Sequence, residues 1–332
     1  MANPSILKVQ PIDFQWPMEN PFIFCAHHHD AFPAGNAALG PSVSLRGRTV
    51  GSDFSGKDGF SMYHGHTIPG FPVHPHRGFE TVTIVLEGFV DHFDSKGATG
   101  RYGQGDVQWL TTGAGCQHAE MFPLLAEDRP NPLELFQIWL NLPARDKFVE
   151  PHFKMLWAEQ IPVAKDSTIR CISGSIEGLR GLMPNPSSWA ADPANKVGIF
   201  LVTLAPGTRF FLPARSPTLV RNLYYYQGLS PLEIAGQDIP PSRRVKLSGS
   251  EEILIQGGEA EGRFIVLEAE PIGEPVVNYG PFVMNTETEI RTAISDYRRT
   301  QFGGWPWGRD DPVHPRSKGR FARHMDGREE VP

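Results

Sequence analysis

The sequence predicts an all-β protein made of two related barrels, with one short helix near the C-terminus. Three observations carry that expectation. Glycine and proline are abundant, 34 and 31 of 332 residues, and they fall singly between short apolar runs, which is the punctuation of many turns rather than of disorder. The apolar runs are strand-length and recur at close spacing, the pattern of a barrel or sandwich. The stretch FPVHPHRGFETVTIVLEG, ending at Gly88, is echoed by FLPARSPTLVRNLYYYQG, ending at Gly228, which suggests two copies of one unit.

In the first half, strands are expected at Phe79–Leu86, Phe89–Phe93, Val107–Leu110 and Leu133–Leu142. In the second half they are expected at Val197–Leu204, Asn222–Tyr226, Arg243–Leu247, Glu252–Gln256 and Phe264–Ala269. Each is apolar or alternating and bounded by turn-forming residues. The helix is signalled by Thr286 and Glu289, a capping box, followed by Ile290, Ala293, Ile294 and Tyr297 at helical spacing and by Gly303 and Gly304 as a stop. The expected organisation is an N-terminal barrel over residues 1–150, a second barrel over 151–304 and a polar tail over 305–332 that is mobile or draped on the surface.

Composition narrows the function. A net charge of −6 provides no basic field, so nucleic acid is a poor partner. The three cysteines, Cys25, Cys116 and Cys171, are scattered and odd in number, which fits a reducing compartment. The N-terminus lacks the apolar core of a secretory signal, and no apolar run approaches the roughly 18 residues of a membrane span. A cytoplasmic protein with no membrane contact is expected.

The chemistry concentrates in two fragments. HPH places His74 and His76 two residues apart, and HAE does the same for His118 and Glu120. Residues i and i+2 of a strand share a face. If the two segments are neighbours, four ligands converge in one barrel lumen. Either pair alone arises easily by chance; the two together, inside β punctuation, strengthen the reading, which rests also on the resemblance given below. Three imidazoles and a carboxylate, with no thiolate, suit Fe(II), Mn, Ni, Cu, Co or Zn, and a set without cysteine favours an open, reactive site over a structural zinc.

Other groups compete. His27, His28, His29 and Asp30 form a histidine-rich tract, expected on a surface loop because consecutive residues of a strand cannot face one point. His64 and His66 are a second HxH, expected on an adjoining strand or loop, though a different register would make them ligands. His92 is expected as a paired surface histidine. Glu80, four residues after His76, could face the same lumen and serve as a base. Arg77 could orient an anion or simply make a salt bridge. Between His152 and His314 there is no histidine, so the second barrel is expected to be structural or to bind something without imidazole.

HPHRGFETVTIVLEG, DSKGATG, GDVQWLTTGAGCQHAEM and LELFQIWLNLP, in that order, strongly resemble the pirin family of the cupin superfamily. The resemblance is close over residues 70–143 and thinner beyond. It implies a bicupin fold, two packed double-stranded β-helix (jelly-roll) barrels. It also implies one metal, most often iron, in the N-terminal barrel, held by the residues matching His74, His76, His118 and Glu120. The residue matching Glu80 is not usually a ligand in this family. Members include quercetin 2,3-dioxygenases, which cleave the ring of a flavonol-like aromatic with dioxygen, and non-enzymatic transcriptional cofactors that bind a partner protein according to the redox state of iron. An oxidoreductase of the first kind is expected here, with Glu120 as possible base and ligand; the sensor is the alternative. Cys116 in CQHAE and the stretch FCAHHHDAF depart from the family pattern, which leaves the substrate open, since pocket walls choose substrates.

Overall fold

A computed structural model describes residues 5–13, 15–165 and 168–332. It is built of strands, with one α-helix, Glu287–Thr300, among the described residues. No helix is long and apolar enough to cross a membrane. The expected strands are all present, at Phe79–Glu87, Phe89–Asp94, Val107–Thr111, Asn131–Asn141, Gly198–Leu204, Val220–Gly228, Arg243–Leu247, Ile253–Gln256 and Gly262–Ala269.

The chain forms two compact units. One, the histidine unit, comprises His27–Ile138, Leu142–Glu159 and Glu274–Pro332; the companion unit comprises Met1–Ala26, Trp139–Asn141 and Gln160–Gly273. All 12 histidines fall in the first. The units therefore part elsewhere than at the expected boundaries of 150 and 304. Chain ends cover sheet edges: Ile6–Pro11 pairs with Arg243–Leu247, and Phe321–Arg323 pairs with the strand Thr99–Gly103. An open edge exposes unpaired backbone groups, and covering it removes that liability. The segment 305–332 is accordingly no loose tail: Phe321 and Ala322 are buried.

In the histidine unit, one sheet runs in the order His152–Leu156, Val107–Thr111, Phe79–Glu87, then residues 131–138 and 27–32 of the strands Asn131–Asn141 and Phe22–Phe32. The facing sheet contains Phe321–Arg323, Thr99–Gly103, Phe89–Asp94, Cys116–Met121 and Gly70–His76, in that order. Side chains of both meet in an apolar core that includes Val85, Leu110, Leu135, Val90, Tyr102 and Cys116. The companion unit repeats this neighbour order. Arg243–Leu247, Val220–Gly228, Gly262–Ala269 and Gly198–Leu204 are consecutive in one sheet, and Arg209–Leu212, Ile253–Gln256, Leu232–Ile234 and Gln237–Ile239 form the other. The echo between Gly88 and Gly228 is thus a repeat of topology.

The helix begins as expected. The Thr286 hydroxyl accepts from the Glu289 amide at 3.2 Å, and the Glu289 carboxylate accepts from the Asn285 amide at 3.0 Å. Ile290 and Ala293 are buried against Phe282, Met284 and Phe302. The stop comes slightly before the glycines, at Gln301 with φ 49°.

Candidate metal centre

Gly70–His76 and Cys116–Met121 run antiparallel, with His74 opposite His118 and His76 opposite Cys116. A register shift between Phe71 and His74 bulges the first strand, which bends it locally. On the other side of Cys116–Met121 lies Phe89–Asp94, with His92 opposite Glu120 and Asp94 opposite His118. Alternation then sends His74, His76, His118, Glu120, His92 and Asp94 to one face.

His74, His76 and His118 converge: one nitrogen from each lies within 4.8 Å of the others. Their ring centroids are 4.5 to 4.9 Å apart. Glu120 stands outside that group of three, with its Oε2 3.5 Å from His118 Nε2. The Glu120 carboxylate accepts from the Thr83 hydroxyl at 3.3 Å and from the Gln137 amide at 2.7 Å.

The imidazoles are prepared as lone-pair donors. His74 Nδ1 lies 2.9 Å from the Pro72 carbonyl; a carbonyl only accepts, so Nδ1 carries the proton and Nε2 keeps its lone pair. The Pro281 carbonyl engages His76. Burial, above all, lowers the basicity of all three rings, reinforced by neighbouring imidazoles; His74 falls from 6.5 to about 4, and His76 and His118 fall well below 6.5. The rings are neutral at pH 7. Both ring nitrogens of His118 are buried without a hydrogen-bond partner among the described residues. Such groups cost roughly 1–3 kcal/mol each when left unsatisfied. The donor set and that orphaned imidazole fit a divalent metal ion. Burial also raises the Glu120 pKa, against the opposing pull of His92, Gln137 and Thr83.

Beside His74 opens a cleft of about 670 Å³, lined by His64, His66, Phe71, Pro72, Val73, Asp310 and Asp311. Its size is that of a small-molecule site. Phe71 anchors an aromatic wall, stacked on Tyr63 at 5.2 Å and near His64 at 5.7 Å, with Phe54 beyond. The C-terminal segment closes the other side: the Val73 amide donates to the Asp310 carbonyl at 2.8 Å. It is clasped by Arg101, which donates to the carbonyls of His314, Pro315 and Lys318 and pairs with Asp91 at 2.6 Å.

Several expectations need correction. Glu80 does not face the imidazoles. On its strand Phe79 meets His76 and Thr83 meets Glu120, whereas Glu80, of opposite parity, accepts from Trp109 Nε1 at 3.0 Å and Thr111 Oγ1 at 2.6 Å. The turn at Gly78, φ 87°, breaks the count from His76, so i+4 carries no meaning across it. A Cβ at Gly78 would lie 2.1 Å from the Val283 carbonyl oxygen. His27–Asp30 lies on the strand Phe22–Phe32 rather than a loop. His27 contacts Glu134 at 3.2 Å, His28 meets Tyr63, and Asp30 accepts from the Tyr63 hydroxyl at 2.6 Å. His92 is buried, not on the surface: it stacks on Phe153 and lies 5.6 Å from the His118 ring. The i, i+2 spacing of His92 and Asp94 carried the same signal as HPH and HAE. Arg77 ties the barrel to the helix, donating to Ala114 and Asp296. His64 lies on a loop beside the cleft.

In the companion unit the inward side of the strand pair that holds the same place in the sheet order is apolar. Phe210 stands opposite Ile255 and Leu212 opposite Ile253, all four in its core. Hydrocarbon fills the space that imidazole occupies in the histidine unit.

Residues 16–140 match the family model described as Pirin, and residues 199–303 match that of the Pirin C-terminal cupin domain. The chain is 35% identical to human Pirin over 254 residues, covering 74% of this chain and 81% of the relative. It is 36% identical to Pirin-like protein 2 of Arabidopsis thaliana over 237 residues, 69% of each chain. A crystal structure of quercetin 2,3-dioxygenase from Acinetobacter baumannii superposes with TM-score 0.70 and 25% identity, covering 91% of this chain and 99% of that one. The two cupin-type barrels make the fold a bicupin.

Proposed function

The chain belongs to the pirin family, and from that premise we propose that it is a metal-dependent dioxygenase acting on a flavonol-like aromatic. The observation that carries this reading is the convergence of three neutral imidazoles within 4.8 Å, beside an aromatic-walled cleft. In this reading His74, His76, His118 and Glu120 hold one ion, Fe(II) foremost. When bound, the ion supplies Lewis acidity and a template for a substrate with adjacent hydroxyl and carbonyl oxygens.

The chain's own residues do the rest. Phe71 and the rings around it take the flat face of the substrate, an arrangement that aromatic pairs favour. Pro72 and Val73 exclude water from the same wall. Glu120 receives the hydroxyl proton, leaving an electron-rich ring for dioxygen.

The test is oxygen uptake by anaerobically purified, iron-loaded chain with a panel of flavonols. Uptake in step with substrate loss supports the reading. No uptake with any vicinal-oxygen aromatic overturns it, and partner capture that follows the iron oxidation state would then establish the sensor in its place.

A further inference from the structure

The companion unit has lost its imidazoles but not every capacity to bind. Its lumen is filled by apolar side chains, yet a separate cleft of about 650 Å³ opens where three neighbouring strands end, at Ser173, Gly198 and Glu268. That volume suits a small organic ligand.

The charges around it do not cancel. Glu268 is answered from behind by the buried Arg221, at 2.7 Å. Lys196 is held by Glu270 at 2.6 Å. Asp192 is occupied as a cap on the Ala194 amide. Two further guanidinium groups line the cleft. Arg215 donates through Nη2 to the Ser175 carbonyl, and its buried Nε, without a hydrogen bond, lies 3.4 Å from Glu268 Oε1, while Arg221 takes the other oxygen, Oε2. Arg180 lines the cleft, with no polar side-chain partner among the described residues. Leu182, Met183 and Ala191 add apolar lining, and Met183 is 55% exposed. A planar guanidinium pairs with a carboxylate through two parallel hydrogen bonds. Apolar lining in a cleft with two such groups selects a ligand that is anionic at one end and apolar at the other.

We propose that this cleft is a second binding site, for a small carboxylate with an apolar body, with Arg180 and Arg215 receiving the carboxylate. The site is independent of the metal centre.

Titration calorimetry of the full chain with benzoate tests it, using benzamide and inorganic phosphate as controls. Benzoate is expected to bind with the same affinity to wild type and to His118→Ala. Binding should weaken about tenfold or more in Arg180→Gln and with benzamide, and vanish in Ala191→Trp, which fills the cleft. Arg215→Gln should act like Arg180→Gln; if it fails to fold, the other two variants decide. Unchanged affinity in Arg180→Gln and Ala191→Trp overturns the proposal. So does loss of binding in His118→Ala, which would place benzoate among the histidines. Phosphate binding as tightly as benzoate would also overturn it, because the apolar lining would then play no part.

Discussion

His74 and His118 face each other across two antiparallel strands with ring centroids 4.5 Å apart. In the matching strand pair of the companion unit, Phe210 faces Ile255. One backbone frame thus holds two kinds of filling. Buried hydrocarbon needs no partner, whereas a buried imidazole with both nitrogens unbonded does. A bound metal ion would supply that partner.

It follows that His118 stabilises the chain only when metal is present. His118→Ile is expected to abolish metal content. In chelator-treated protein it should raise unfolding stability by roughly 1–2 kcal/mol, because two unsatisfied nitrogens disappear. Urea unfolding with and without chelator checks this; a variant less stable than wild type under chelator contradicts it.

The metal-free chain should also lose stability in mild acid. The folded pKa of His74 is about 4, depressed from 6.5 by burial, and His28 is likewise lowered to about 4. Between those values the unfolded chain binds more protons than the folded one, so stability falls as pH drops from about 6.5 towards 4. For His74 alone the loss is on the order of 3 kcal/mol by the bottom of that window. Denaturation midpoints at pH 7 and pH 5 measure it, and equal midpoints would contradict it.

Glu80→Gln should leave metal content and turnover near wild type, since the carboxylate lies on the other face of its strand. Glu80→Ala should cost stability, about 1–3 kcal/mol, through the lost hydrogen bonds to Trp109 and Thr111. A turnover defect in folded Glu80→Gln would return Glu80 to the chemistry.

Truncation after Gly304 removes the carbonyls that Arg101 donates to and the amide of His314 that donates to Asp91 at 2.8 Å. A buried ion pair stripped of its other partners is costly. The melting temperature should fall by several degrees, at roughly 2–4 °C per kcal/mol, and KM should change as one side of the cleft opens. A truncated chain that melts like wild type would show that the segment is merely appended.

Much of this was legible in the sequence because strand parity is a local property. HPH and HAE each announce a shared face, and the capping box at Thr286 places the helix within a residue. What failed was anything that crossed a turn or needed register. Glu80 lay beyond Gly78, where the alternation restarts. His92 carried the right spacing, but only its pairing opposite Glu120 put it inside. The histidines at 27–29 looked like a loop because they cannot face one point; on their strand they do not, each meeting a different neighbour. The segment after Gly304 has too few apolar residues to announce a strand, and Phe321 finds its place only once the edge at Thr99–Gly103 exists.

The central claim is that His74, His76, His118 and Glu120 hold one ion. Elemental analysis of anaerobically purified wild type, His118→Ala and His27→Ala, side by side, tests it most directly. About one metal per chain in wild type and in His27→Ala, with little or none in His118→Ala, is the predicted result. Full metal in His118→Ala together with its loss in His27→Ala would contradict it.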